Sequence, residues 1–253
     1  MSDRPYILVT NDDGIHAKGL AELIEVMRLF GDIAVIAPEV AMSGMSNAIT
    51  ADKPLRAVKL SEEPGIAIYK CNGTPVDCVK LGFNHILERA PDYVVSGINH
   101  GANSSISVIY SGTMGAAIEG CLHGVPSVGI SLLDFQPDAD FGKAKIYTAR
   151  IFQALLENEL PRFTCLNVNI PKGIPKGIKI CRQARGKWME EYDKRTDPHN
   201  RNYFWLTGSF MNFEENATDT DLYALEKNYV SIVPVKVDMT CYDALEELKS
   251  WKI

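Results

Sequence analysis

The sequence predicts an α/β fold: a three-layer α/β/α arrangement around a Rossmann-like, mostly parallel sheet. Short apolar runs of strand length recur through the first two thirds of the chain, and segments with apolar residues at helical spacing separate them. Polar clusters follow the runs at their carboxyl ends, where open parallel sheets bind ligands.

Tyr6-Ile7-Leu8-Val9-Thr10 is a continuous apolar run closed by Asn11-Asp12-Asp13-Gly14. This is the pattern of a fully buried strand that ends in a polar turn. Residues 17–30 carry Leu20, Leu23, Ile24, Met27 and Phe30 on one side of a helix, and residues 33–37 form a second buried strand stopped by Pro38. Together they make a β-α-β unit, which implies parallel strands and a right-handed crossover. After a loop, the rhythm continues with a strand at 66–69, a helix at 75–88, a strand at 92–96, a helix at 112–123, a strand at 127–131 and a helix at 140–158. Thr74-Pro75 reads as an N-cap followed by proline at the first helical position. A strand at 165–170 closes this core. The segment from Pro171 to about Glu215 is irregular, and residues 178–182 and 203–208 are the expected arms of a projecting hairpin. A late strand at 229–233 and a terminal helix at 240–251 follow. With no repeat, low-complexity tract or linker, the expectation is one domain over 1–253: a core of about 1–170 and a C-terminal extension of about 171–253.

The bulk composition agrees. Of 253 residues, 46% are hydrophobic and 23% charged, the balance of a globular chain able to bury a core without staples. Six cysteines include no C-x-x-C pair, so buried free thiols are expected in place of a zinc site or disulfide framework. A net charge of -6 argues against clamping a nucleic-acid polymer. A small anion can still be held by one metal and a few backbone N–H groups. The N-terminal Met1-Ser2-Asp3-Arg4-Pro5 has no secretory apolar region, and no apolar stretch is long enough to span a bilayer. The expectation is a cytoplasmic protein with no membrane partner.

Three polar clusters fall at strand ends: Asn11-Asp12-Asp13-Gly14, the 38–47 loop with Ser43-Gly44-Met45-Ser46-Asn47, and Ser96-Gly97-Ile98-Asn99-His100-Gly101-Ala102-Asn103. Adjacent carboxylates repel, and a hard divalent cation relieves that repulsion; Asp, Asn and Ser oxygens suit magnesium or manganese. The competing reading is that Asp12 and Asp13 cap the helix that starts near His16. Ser111-Gly112-Thr113 opens a helix and is either a phosphate seat or an ordinary N-cap.

These blocks, with Gly73-Thr74-Pro75-Val76-Asp77-Cys78, Tyr110-Ser111-Gly112-Thr113-Met114-Gly115-Ala116-Ala117 and Gly124-Val125-Pro126-Ser127-Val128, resemble the SurE family of metal-dependent nucleotidases. They span about half the chain in the family's order; the C-terminal third matches in layout. The resemblance implies a SurE-like fold and hydrolysis of nucleoside monophosphates, as a 5′- or 3′-nucleotidase, with some members acting on short polyphosphate. It implies one divalent cation per subunit, magnesium or manganese, at Asp12, Asp13, Ser43 and Asn99. Asn11, Gly44, Asn47, Asn99, Ser111, Gly112 and Thr113 correspond to the substrate side, and Asp12, Asp13 and Asn99 to the catalytic positions. It also implies a homodimer or homotetramer built through swapped C-terminal elements. One departure is Ser105 and Ser107, where members often carry glycine and an acidic residue.

The expected reaction is metal-assisted attack of water on a phosphomonoester, with an aspartyl-phosphate route as its rival. Two other classes stand beside it: a receiver-like signalling module and a non-catalytic nucleotide or phosphate sensor. A receiver needs an acceptor Asp after a middle strand, where this chain has Ser96-Gly97-Ile98-Asn99. Trp188, Tyr192, Tyr203, Phe204 and Trp205 are read as subunit-interface residues before base-stacking ones.

Overall fold

A computed structural model describes residues 4–252; Met1, Ser2 and Asp3 of the N-terminal stretch read above lie outside the described residues. Strand β1 (Tyr6–Thr10) leads through helix α1 (Lys18–Met27) to β2 (Asp32–Pro38). Next come β3 (Ala57–Glu63), β4 (Ile66–Cys71) and α2 (Pro75–Leu81), which runs on into a π turn at Gly82–Ile86. β5 (Tyr93–His100) is followed by a 3-10 turn at Ser105–Tyr110, then α3 (Gly112–Leu122), β6 (Ser127–Leu132), α4 (Gly142–Glu157) and β7 (Thr164–Ile170). The last third holds β8 (Ile178–Ile180), β9 (Gly186–Met189), β10 (Tyr192–Thr196), β11 (Asn202–Leu206), β12 (Ser209–Asn212), α5 (Asp221–Glu226), β13 (Val230–Lys236) and α6 (Tyr242–Leu248).

The main sheet has the order β3-β4-β2-β1-β5-β6-β7-β13-β8. The six strands from β4 to β7 are mutually parallel, while β3 and β13 join antiparallel. This is the predicted three-layer fold. Side chains of β1 alternate between its faces: Ile7 and Val9 pack with Leu20, Leu23 and Met27 of α1 and Phe152 of α4. Leu8 turns the other way, onto Cys78 and Val79 of α2 and Ala116 of α3. A strand buried on both faces has to be apolar at every position, which is why β1 reads as an unbroken run.

Three local expectations change. β3 is an antiparallel edge strand whose seven residues are all exposed, so it carries no continuous apolar run. Residues 178–180 do not form a hairpin arm: they extend the main sheet by pairing with β13. The hairpin instead runs over 186–212, with β9 on β12 and β10 on β11. α5 is only six residues long, too short to show a helical period. The cysteines are all free thiols, and only Cys241 is exposed. Among the described residues no helix is long and apolar enough to cross a membrane.

The start of α2 does more than begin a helix. Thr74 and Asp77 form a reciprocal capping box with Pro75 inside it. The Asp77 carboxylate also accepts the Thr50 hydroxyl at 2.6 Å and the Thr50 N–H, while Thr74 Oγ1 donates to Ala48 O at 2.7 Å. The same two side chains thus cap the helix and anchor the far end of the 43–50 loop. Asp77→Ala is expected to lower stability by about 2 kcal/mol, read from urea unfolding, because it removes the cap and leaves buried donors unmatched.

Candidate functional site

At the carboxyl end of β1 the chain turns through Asn11, whose side-chain amide donates to Gly14 O at 3.0 Å. Ile15 N–H donates to Pro38 O and Met42 N–H to Asp12 O, which ties this turn to the loop after β2. α1 begins only after Ala17, and no side chain caps it. The capping reading of Asp12 and Asp13 is therefore excluded by geometry.

Asp12 is 4% exposed and faces the start of α3. Thr113 Oγ1, itself buried, donates to Asp12 Oδ1 at 2.5 Å, and the Thr113 backbone N–H also favours the charged carboxylate. Gly112 packs on it so closely that a Cβ there would lie 2.9 Å from Asp12 Cβ and 3.1 Å from Oδ2. Ser111 is the N-cap, its Oγ accepting the Met114 N–H at 3.0 Å. The helix start read as a phosphate seat thus holds an anion of the protein's own, Asp12. Burial still outweighs these contacts and, with repulsion from Asp13, pushes the Asp12 carboxyl up from 3.8 to about 6. Asp13 is half-buried and is also raised by burial, against the His100 N–H that donates to its Oδ2 at 3.1 Å. Among the described residues no Lys or Arg pairs with either carboxylate, and no group of three His, Cys, Asp or Glu side chains could hold a metal.

A cleft of about 650 Å³ opens beside Asp12, and Ser43, Gly44, Asn99 and Ser111 line it too. Five sequence-predicted residues therefore meet on one cavity. Asp13, Gly112 and Thr113 stand directly behind, in contact with the lining. Asn11 serves the turn, and Asn47 is exposed on the loop without lining the cleft. Asn99 reaches its place where the register of β5 against β6 shifts between Ser96 and Asn99, and its amide donates to Gly101 O at 2.8 Å.

Several supporting residues escape sequence reasoning. Asn103 N–H donates to Asn169 Oδ1 and its side chain to Ser131 Oγ, while Asn167 donates back to Asn103 O. Asn167 and Asn169 sit inside an apolar strand, and buried asparagines there were the available signal. Ser105 has φ +52, a left-handed conformation that glycine adopts more readily, and its N–H donates to the buried Asp221 at 2.7 Å. Ser107 lines the cleft, as do Phe135, Trp188 and Tyr192. The aromatic residues expected at an interface are thus divided: Trp188 and Tyr192 face the cleft, and Tyr203, Phe204 and Trp205 do not line it.

An open parallel α/β sheet with desolvated carboxylates and oxygen-rich loops at its carboxyl edge places the chain among the α/β proteins whose ligands bind at the strand ends. Residues 7–190 match the family model described as Survival protein SurE. The chain is 48% identical to the 5′-nucleotidase SurE of Phocaeicola vulgatus and 50% identical to that of Flavobacterium johnsoniae, in each case over 99% of this chain and 98% of the relative. It superposes on the SurE protein crystal structure from Aquifex aeolicus with a TM-score of 0.83 at 33% identity, covering 97% of this chain and 98% of that one. The chain belongs to the SurE family.

The raised carboxyl of Asp12 sets a pH dependence. Its folded pKa lies above its unfolded value, so the native state binds the extra proton and the associated stability is present below about pH 4. In chelator, stability should fall as pH rises from about 4 to about 6, by up to about 3 kcal/mol, with Asp13 adding in the same direction. Urea unfolding across that range checks it. Thr113→Val, which removes the hydroxyl that favours the charged form, should steepen the fall.

Proposed function

We propose that the chain is a divalent-metal-dependent phosphoric monoester hydrolase that converts nucleoside monophosphates to nucleoside and phosphate, with the cation held by Asp12, Asp13, Ser43 and Asn99. The observation that carries this is the pair of desolvated carboxylates with no basic partner at the head of an oxygen-lined cleft. Two carboxylates with hydroxyl and amide oxygens form a hard donor set that fits magnesium or manganese. Once bound, such a cation supplies a Lewis acid for a phosphoryl oxygen and acidifies a water.

The chain's own groups do the rest. Thr113 and the first turn of α3 favour the ionised form of Asp12 against its burial, and the His100 N–H orients Asp13. Either carboxylate can take a proton from the attacking water. Ser111 Oγ accepts from Met114 N–H and keeps its own proton to donate to the transferring group, alongside the Asn99 amide. In this scheme Thr113 positions Asp12, since its hydroxyl proton is already committed there. Gly44 lines the phosphate side, and Asn11 braces the turn after β1.

Among the described residues, no Lys or Arg lines the cleft. A polyphosphate chain repeats its charge along its length and needs such groups, so monophosphates are the better substrates. The reaction is the same for a 5′- or 3′-phosphate, and both belong to the proposal. A non-catalytic sensor has no use for two desolvated carboxylates at the head of the cleft.

The proposal includes a homodimer or homotetramer. None of the α6 side chains is buried, and Tyr242, Leu245, Leu248 and Trp251 are exposed on or just after it. A seven-residue helix is not stable alone, so a second subunit is its natural cover.

The direct test is phosphate release from a panel of nucleoside 5′- and 3′-monophosphates and short polyphosphate, with EDTA and then magnesium or manganese. Release from monophosphates should vanish with EDTA, return with metal, and exceed release from polyphosphate. Asp12→Asn should lose activity on the order of 10³-fold while keeping its circular-dichroism spectrum; wild-type turnover in that variant would sink the metal assignment. Ending the chain after Val237 should shift the mass measured by light scattering toward the monomer.

A further inference from the structure

We infer that the outer part of the cleft is a nucleobase slot, in which Phe135 and the hairpin residue Tyr192 supply the stacking surfaces that select nucleotides over other phosphomonoesters. This rests on the hydrolase reading above and adds the part of the substrate that the acidic end of the cleft does not read.

Phe135 follows β6 and is 76% exposed, yet it is not a loose side chain. Its ring lies against Gly101, where a Cβ would come within 2.2 Å of it. Gly101 is two residues from Asn99, and Asn99 Nδ2 donates to Gly101 O, so the ring is docked on the loop that holds Asn99. The backbone beside it is fixed too: the buried Asp134 pairs with Lys172 at 3.0 Å and accepts the Gln136 N–H at 3.1 Å. An exposed aromatic ring on a fixed backbone at the mouth of a cleft is a ready stacking surface.

The second surface comes from the hairpin. Tyr192 is paired across the ribbon with Leu206, and both line the cleft. The next pair, Asp193 with Trp205, points to the opposite face by the two-residue period of a strand. Trp205 accordingly does not line the cleft. The same cavity is therefore lined both by oxygen-bearing residues such as Asp12, Ser43 and Asn99 and by Phe135, Trp188, Tyr192 and Leu206. A nucleotide has this division: an anionic phosphate at one end and a flat apolar-faced base at the other. Its volume of about 650 Å³ is in the range that holds a ligand of this size.

The test compares a nucleoside monophosphate with ribose 5-phosphate, a phosphomonoester without a base. Phe135→Ala and Tyr192→Ala should each raise KM for the nucleotide about tenfold, the scale of one base–aromatic stack. KM and kcat for ribose 5-phosphate should stay at wild-type values, and Tyr192→Phe should behave as wild type. Equal losses on both substrates, or no change on either, would overturn the slot. Calorimetric binding of free adenosine gives a readout independent of hydrolysis: about tenfold weaker binding in Phe135→Ala supports the slot, and unchanged or absent binding in wild type refutes it. Absence of phosphate release from every substrate would instead remove the hydrolase reading.

Discussion

Burying the Asp12 carboxylate costs free energy that no basic side chain offsets, and much of the surrounding structure is arranged around that cost. Charge is favoured at Asp12 by the Thr113 hydroxyl and the first turn of α3, and it is opposed by burial and by Asp13. A protein that needed only a stable turn would place a Lys or Arg here, or an apolar residue. Retaining two acids at the carboxyl end of the central strand leaves the site short of positive charge, and the proposed cation would supply it. Gly112 follows from the same constraint, since any side chain there would occupy the space of the carboxylate. The helix start at Ser111, Gly112 and Thr113 meets an anion of the protein's own, Asp12, through Thr113, while Ser111 caps the helix and lines the cleft.

The donors around Asp12 come from loops, and loops are held here by side chains drawn from distant parts of the chain. Ser46 binds the carbonyls of Ile109 and Tyr110, while Thr74 and Asp77 bind the other end of the same loop. The loop that follows Asn99 is pinned through Asn103 to Ser131, Asn167 and Asn169 on two neighbouring strands. Thr74, Asp77, Asn103, Asn167 and Asn169 are buried, paired polar groups, rigid because breaking such a pair leaves an unsatisfied partner. Site geometry is thereby set before any ligand arrives, which is what positioning catalysis requires.

What could be read from the sequence follows the strength of the local signal. β1, β2, β5, β6 and β7 are buried on both faces and announce themselves as apolar runs. The acidic turn, the Ser43-Gly44 loop and Asn99 were legible because each follows such a run, and five of the named residues do share the cleft. β3 was not legible, since an exposed edge strand has no reason to be apolar. The pairing of β8 with β13 was hidden because it joins residues about fifty positions apart, and nothing local marks a parallel partner. Asn167 and Asn169 were hidden for a related reason: a polar side chain within a strand shows its purpose only when its partner, Asn103, is known. The aromatic residues of the hairpin could be assigned to an interface or a ligand only once the ribbon's two faces were placed.

With the hairpin lining the cleft as proposed, substrate recognition would be separated from chemistry in this fold. Its roots are fixed: Arg182 binds Asp219 and Glu214 on the far side of the ribbon, and Asp221 accepts N–H groups from Ala184 at the base of the hairpin and from Ser105 beside the cleft. Asp221 therefore couples the hairpin to the loop that follows Asn99 with no contact to either acidic residue. Because strand side chains alternate, one ribbon can turn Tyr192 and Leu206 to the cleft and Tyr203 and Trp205 away from it. Changes on the cleft face would alter which substrates fit while leaving Asp12, Asp13 and α3 undisturbed. Changes on the other face would alter what the ribbon packs against. The acidic turn has no such freedom, because Gly112, Thr113 and Asp12 fill one another's space, so variation in substrate is expected to gather on the hairpin and the Phe135 loop rather than at the strand ends.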